Sequence, residues 1–254
     1  MSTLSRPTFG DTLSRLASAQ KPPAQGSPAY SRFVNRRLGR VLAAGSHVAG
    51  LSPNQVSGLS AVLTTTGIAL VALVRPAPWS ALAVTVALVL GYAFDSADGQ
   101  VARLRGGGSA GGEWLDHVID AFKTAAVHLA VLICWFRFYD LPAGWLLVPV
   151  GFTVVGSGLF FAMWITDRFR REYPAQAPPP ATASRAAVVR SILVAPTDYG
   201  VLVLVFLTLA APAVFVTLYT LLFAGTAAFA LAALPKWFRE VSGFSRALVT
   251  AGNP

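Results

Sequence analysis

Between Asn54 and Val74 the chain carries no charged side chain, and the same holds from Trp79 to Phe94, from Trp145 to Ile165 and from Tyr199 to Leu234. A helix of about 20 apolar residues crosses the hydrocarbon of a bilayer. Inside it every backbone polar group must be satisfied by the segment itself, which leaves helices as the solution for runs of this length. The composition agrees, with 54% hydrophobic and 12% charged residues against about a quarter charged in soluble domains, and a mean hydropathy of +0.59. The chain therefore reads as an all-α integral membrane protein with six transmembrane helices and an N-terminal interfacial amphipathic helix.

The spans follow in order. Ser52-Pro53-Asn54 supplies a cap and a helix start for the first, which ends at Val74 before Arg75-Pro76. The second runs from Trp79 through Phe94 and continues as helix to Leu104, where Gly106-Gly107-Gly108 ends it. The third starts near Gly112 and reaches Trp135, and the fourth covers Trp145 to Ile165. The fifth, Asp198 to Ala211, is short for a crossing; an earlier start near Val188 with a kink at Pro196 lengthens it. The sixth follows Ala210-Ala211-Pro212. Ahead of them, Tyr30, Phe33, Val34, Leu38, Val41 and Leu42 recur at three and four, while Arg32, Asn35, Arg36 and Arg40 take the rest of the surface. This pattern fits a helix lying in the interface plane.

Residues 1–26 are polar, have no apolar core or cleavage pattern of a signal peptide, and are expected to be loosely ordered. The membrane domain is expected over 27–240 and a tail over 241–254. The single cysteine, Cys134, lies in an apolar run and rules out a disulfide framework and a thiolate metal site.

The formal charge of +9 is not read as a nucleic-acid footprint, because the basic residues flank the spans. With both termini cytoplasmic, seventeen of the twenty Lys and Arg residues fall on the cytoplasmic side; Arg75 and Arg137 fall outside, and Lys123 within a span. The positive-inside rule selects that orientation in the cell membrane.

Five of the eleven acidic residues, Asp95, Asp98, Glu113, Asp116 and Asp120, fall within 26 positions where the second and third spans meet. Carboxylates beside hydrocarbon are costly and mark a functional site with a neutralising partner. Asp95 and Asp98 are three apart and Asp116 and Asp120 four apart, so each pair shares a helix face. The Gly-rich turn lets the pairs converge. Four hard oxygen ligands without His or Cys suit Mg²⁺ or Mn²⁺. Gly99, Ala102 and Gly112, small residues among the acids, leave space for a flat ligand.

The segment Asp95-x2-Asp98-Gly99-x2-Ala102-Arg103-x8-Gly112-x3-Asp116-x3-Asp120 resembles, without departure, the signature of the CDP-alcohol phosphotransferases (CDP-alcohol phosphatidyltransferases). The resemblance implies that Asp95, Asp98, Asp116 and Asp120 hold metal, two ions per site. It implies a general base at Asp120 and a nucleotide site at Asp95, Gly99, Ala102, Arg103 and Gly112. It also implies a homodimer, a CDP-alcohol donor and an alcohol acceptor. A hydroxyl of the acceptor would displace CMP in a step of phospholipid biosynthesis, with CDP-diacylglycerol as donor and a small polar, phosphorylated alcohol as acceptor.

Lys123 lies one turn beyond Asp120, where an unpaired cation is costly, so it either snorkels to the interface or meets a substrate phosphate or an Asp of the cluster. With Arg105 and Arg190 it forms the candidate acceptor-binding set. His117 is read as an incidental interface residue, and Glu113 as either a support for the ligands or a helix-start charge. Three alternatives stay open. The stretch Lys21 to Arg36 is similar to that of inositol-phosphate members with two soluble substrates. Gly112-Glu-Trp-Leu-Asp116-His is similar to choline/ethanolamine members with a lipid acceptor. A non-catalytic divalent-cation transporter would use the acids as its ion path, although transport sites sit nearer mid-membrane.

Overall fold

The computed structural model describes residues 8–18, 28–174, 191 and 194–251. All regular structure in these residues is helical. A short helix α1 (Phe9–Ser18) lies within the polar leading segment. It starts on Thr8, whose hydroxyl accepts from the Asp11 backbone N–H at 3.2 Å and donates to the Asp11 carboxylate at 2.6 Å. It buries Leu16 against Ala43, Ala44, Val56, Ala97 and Val101. The polar composition that suggested loose order hid this anchor.

The interfacial helix begins with a π-helical turn (Ser31–Asn35) and continues as α2 (Arg36–Val48). Its packing inverts that of a surface helix in a soluble domain. Phe33, Val34, Leu38 and Val41 are exposed, while Asn35, Gly39, Ala43 and Ala44 face the protein. An apolar face turned outward is what a helix presents to lipid.

Helix α3 (Pro53–Leu73) starts with a reciprocal cap, the Ser52 hydroxyl accepting from Gln55 N at 3.2 Å and the Gln55 side chain accepting from Ser52 N at 2.8 Å. Helices α4 (Pro78–Leu104) and α5 (Ala110–Phe138) follow, joined by the Gly-rich turn. There Gly106 and Gly107 take φ of 97° and 134°, a region that side-chain-bearing residues avoid. Helix α6 (Leu147–Glu172) is preceded by a 3₁₀ turn at Ala143–Leu146. Helix α7 (Tyr199–Val205) runs on as a 3₁₀ turn over Phe206–Thr208, and α8 (Pro212–Ala251) passes through Pro235 into the expected tail.

Among the described residues five helices, α3, α4, α5, α6 and α8, are long and apolar enough to cross a membrane. The fifth expected span appears only as the short apolar segment Tyr199–Thr208. Its expected earlier start at Val188 lies outside the described residues, while Pro196 sits in a 3₁₀ turn (Ala195–Thr197). The core runs through the bundle on Leu88, Val127, Val131, Trp135, Phe206, Phe215 and Tyr219. The face toward hydrocarbon keeps Phe122, Phe136, Val154 and Leu231 exposed. Helix α3 packs against both α4 and α5, which pack little against each other. That leaves the space between their carboxylate-bearing ends to side chains.

Candidate active site

The turn geometry decides where the acids meet. Gly107 N donates to Ala102 O at 2.9 Å and closes α4, and the Ser109 hydroxyl accepts from Gly112 N at 3.0 Å and opens α5. The last turns of α4 and the first turns of α5 therefore face each other. Asp95 of α4 and Asp120 of α5 are joined through Lys123, whose ammonium lies 2.5 Å from Asp95 Oδ1 and 2.5 Å from Asp120 Oδ1. Of the two partners the sequence allows Lys123, the structure shows the carboxylates. An ammonium has three N–H groups, so one remains for a third acceptor.

Asp98 is buried and points to α3, where the Ser57 hydroxyl donates to its Oδ2 at 2.5 Å; its Oδ1 accepts from Gly99 N at 2.5 Å. Asp116 forms no hydrogen bond or ion pair among the described residues. Ligand atoms of Asp116, His117 and Asp120 lie within 4.8 Å of one another. His117, read from the sequence as incidental, thus stands beside two of the acids. It also sits 3.8 Å from Glu113 and edge-on to Trp164, with ring centroids 5.9 Å apart. Glu113 itself is held by Arg171 of α6 at 2.6 Å.

The small residues have distinct surroundings. A Cβ at Gly112 would come within 3.2 Å of Ser109 Oγ and 3.3 Å of Asn54 Oδ1, so α3 closes on α5 there. A Cβ at Gly99 would sit 3.6 Å from Arg103 Nη1, which places that guanidinium over Gly99. Ala102 is buried. Arg105 turns the other way, its Nη2 donating to Gly50 O at 2.8 Å, because it follows the end of α4 and no longer shares the helix phase of the acids. Arg190 lies outside the described residues.

Two contributions escape a sequence reading. Ser57 and Asn54 of α3 reach the acids and Gly112 from 41 or more positions away and carry no motif. Asp198, buried at the start of α7, accepts from Tyr30 N at 2.7 Å, Ser31 N at 3.4 Å and Gly200 N at 3.0 Å. It fastens the interfacial helix to the bundle. The Tyr92 ring, stacked with Tyr30 and edge-on to Tyr199, fills the space behind it.

The donor set suits a hard divalent cation. Asp116, His117 and Asp120 stand within ligand distance of one another, two carboxylates with one imidazole and no sulfur, and Lys123 ties Asp95 to Asp120 beside them, while Asp98 turns to Ser57. Among the described residues Asp116, His117 and Asp120 are close enough to share such an ion, and Asp95 and Asp98 lie outside that group.

The family model of the CDP-alcohol phosphatidyltransferases matches residues 51–234. No curated protein matches the chain. Among solved structures, the chain is similar to phosphatidylinositol phosphate synthase of Mycobacterium tuberculosis in complex with manganese and citrate. The identity is 18% over 79% of this chain and 87% of that one, with a TM-score of 0.48. The same enzyme with CDP-DAG bound gives 18% over 82% and 93% with a TM-score of 0.46. Its apo form gives 19% over 79% and 94% with a TM-score of 0.47.

Proposed function

The chain belongs to the CDP-alcohol phosphatidyltransferase family, and from that premise we propose its substrates and the division of work among its site residues. It is a membrane-embedded, metal-dependent CDP-alcohol phosphotransferase of phospholipid synthesis. The donor we assign is CDP-diacylglycerol, and the acceptor a small polar alcohol that itself carries a phosphate. The reaction is assigned to the cytoplasmic face of the cell membrane in a homodimer, with two Mg²⁺ or Mn²⁺ ions on Asp95, Asp98, Asp116 and Asp120.

Bound at these carboxylates, a divalent ion would supply positive charge to the diphosphate and the departing phosphate of CMP. The chain's own residues do the rest. The cytidine is assigned to the space bordered by Asp95, Gly99, Ala102, Arg103 and Gly112, where the three small residues add no side-chain bulk. The acceptor oxygen forms a bond to the phosphorus bearing the lipid, and the bond from that phosphorus to CMP breaks. Asp120 takes the hydroxyl proton and passes it to water. Its carboxylate is held by Lys123, so it acts through position rather than through strong basicity. The third N–H of Lys123 is available to the acceptor's phosphate.

The observation that supports this reading is the bridge of Asp95, Lys123 and Asp120 across the gap between α4 and α5. It puts a proton acceptor, a cation and two metal-competent oxygens within one site. The test is CMP release by the purified protein in lipid nanodiscs, with CDP-diacylglycerol and a panel of phosphorylated and unphosphorylated alcohols. Release should occur only with a divalent ion and be fastest with a phosphorylated acceptor. Use of CDP-choline with diacylglycerol, or the joining of two soluble substrates while CDP-diacylglycerol is ignored, would overturn the substrate assignment. Maleimide labelling of a cysteine placed at Ser109 from the cytoplasmic side only checks the orientation.

A further inference from the structure

Arg32, Arg36 and Arg40 recur every four residues along the interfacial helix, and all three are half-buried while the neighbouring Arg37 is exposed. Their helix is docked along the acid-bearing part of α4. Asn35 Nδ2 donates to Tyr92 O at 3.1 Å, and the Gln100 side chain donates to Arg36 O at 3.5 Å. Gly39 is so close to α4 that a Cβ there would meet Ser96 Oγ at 2.7 Å and Ala93 O at 3.1 Å. The arginine row therefore runs beside the segment from Tyr92 to Gln100 that carries Asp95 and Asp98. One turn further along α4, the guanidinium of Arg103 lies over Gly99.

These guanidiniums influence one another. The charge of Arg32 bears on Arg36, and those of Arg36 and Asp98 on Arg103. Burial, and then the charge of Arg32, push the Arg36 guanidinium below its ordinary value. Among the described residues none of Arg32, Arg36 and Arg103 forms an ion pair. Like charges partly withdrawn from water are unfavourable until an anion joins them. The planar fork of a guanidinium fits a phosphate in particular.

We propose that Arg32 and Arg36 of the interfacial helix, with Arg103 of α4, form a phosphate-binding subsite beside the carboxylate cluster. Its ligand is a phosphate ester, supplied either by an anionic lipid headgroup or by a soluble phosphorylated substrate. The subsite rests on the phosphotransferase reading for its use, and for its existence on the docking of the interfacial helix along α4, with Arg36 held at Gln100 one turn from Arg103. It gives the interfacial helix a part in substrate capture, with its apolar face outward and its arginine row beside α4; the Arg32 guanidinium itself rests over the Phe33 ring, 5.3 Å from its centroid.

The test is calorimetric titration of inorganic phosphate into the full-length protein in phosphatidylcholine nanodiscs with chelator present, so that divalent ions play no part. Saturable binding is expected. It should weaken about tenfold in R36Q and in R32Q, the loss of one charge-assisted contact worth about 1.4 kcal/mol, recover in part in R36K, and stay unchanged in R37Q. Repeating the titration in phosphatidylglycerol nanodiscs separates the sources: suppressed binding identifies a lipid headgroup as the occupant, and unchanged binding a soluble phosphate. No phosphate binding in phosphatidylcholine, or binding by folded R32Q and R36Q equal to wild type, overturns the subsite. Because no turnover is measured, that failure leaves the CMP-release assay to decide the catalytic reading separately.

Discussion

Replacing Lys123 by Met keeps an unbranched side chain, one atom shorter, and removes the cation that bridges Asp95 and Asp120. Lys123 contacts Asp95 and Asp120 at 2.5 Å each, with the lysine side chain 11% exposed and the two acids 20% and 25% exposed. Removing one partner of a fully buried pair costs about 3–5 kcal/mol. The partial exposure of the acids brings the expectation down to roughly 2–3 kcal/mol, the range of hydrogen bonds to charged groups. For a chain of this size that corresponds to a fall in melting temperature on the order of 5–10 °C, read by tryptophan fluorescence in nanodiscs with chelator. Saturating Mn²⁺ should remove more than half of that loss, because it neutralises the same oxygens. The variant should also bind Mn²⁺ more tightly than wild type, by roughly tenfold or more. One unit charge about 4 Å away is worth up to about 4 kcal/mol at an effective dielectric constant near 20. An equal loss of stability with and without Mn²⁺, or weaker Mn²⁺ binding, would refute the claim that the ammonium and the divalent ion share these oxygens.

Asp120→Asn should lower turnover by about 10²–10⁴ while keeping most metal-dependent donor binding, whereas Asp98→Asn should weaken metal and donor binding as well; calorimetry beside CMP release separates the two, and equal binding losses would merge their roles. Asp116→Asn should be the mildest of the four carboxylate substitutions for stability, because Asp116 has no hydrogen bond or ion pair to lose among the described residues. It should still reduce Mn²⁺ affinity at least tenfold, checked by thermal unfolding and by titration of the free ion. Gly200→Ala should destabilise by about 1–3 kcal/mol, since a Cβ there runs into the Tyr30 ring. Adding Tyr30→Ala should recover part of that loss in a double-mutant cycle, and simple additivity would count against the contact.

The features legible in the sequence are those written locally. Ser52 and Gln55 announce the start of α3, the run of three glycines announces the turn, and the spacing of Asp95, Asp98, Asp116 and Asp120 announces the site. Each depends on residues within a few turns of one another. The interfacial helix is legible for the same reason, from apolar residues that recur at three and four. What was not legible is carried by long-range pairing. Nothing near Ser57 marks it as the donor to Asp98, and nothing near Asp198 marks it as the acceptor for Tyr30, 168 positions earlier. Arg105 looked like a candidate for the acceptor because it is close in sequence to the acids, yet the end of α4 turns its side chain to Gly50. The polar composition of the leading segment concealed α1 because a helix of ten residues needs only one buried leucine and a cap when a second helix is there to receive it.

The long-range contacts also make unequal what the sequence pattern presents as four equivalent acids. Asp98 is tied to α3 by Ser57, Asp95 and Asp120 are tied to each other through Lys123, and Asp116 alone is left without a partner among the described residues. Since α4 and α5 pack little against each other, the separation of their acids is set by α3, which contacts both, and by the length of one lysine. A substitution on the α3 face at Ser57 or Asn54 should therefore act on the width of the site, although neither residue belongs to the signature. The signature supplies the chemistry of the carboxylates, and the third helix decides how far apart that chemistry is held.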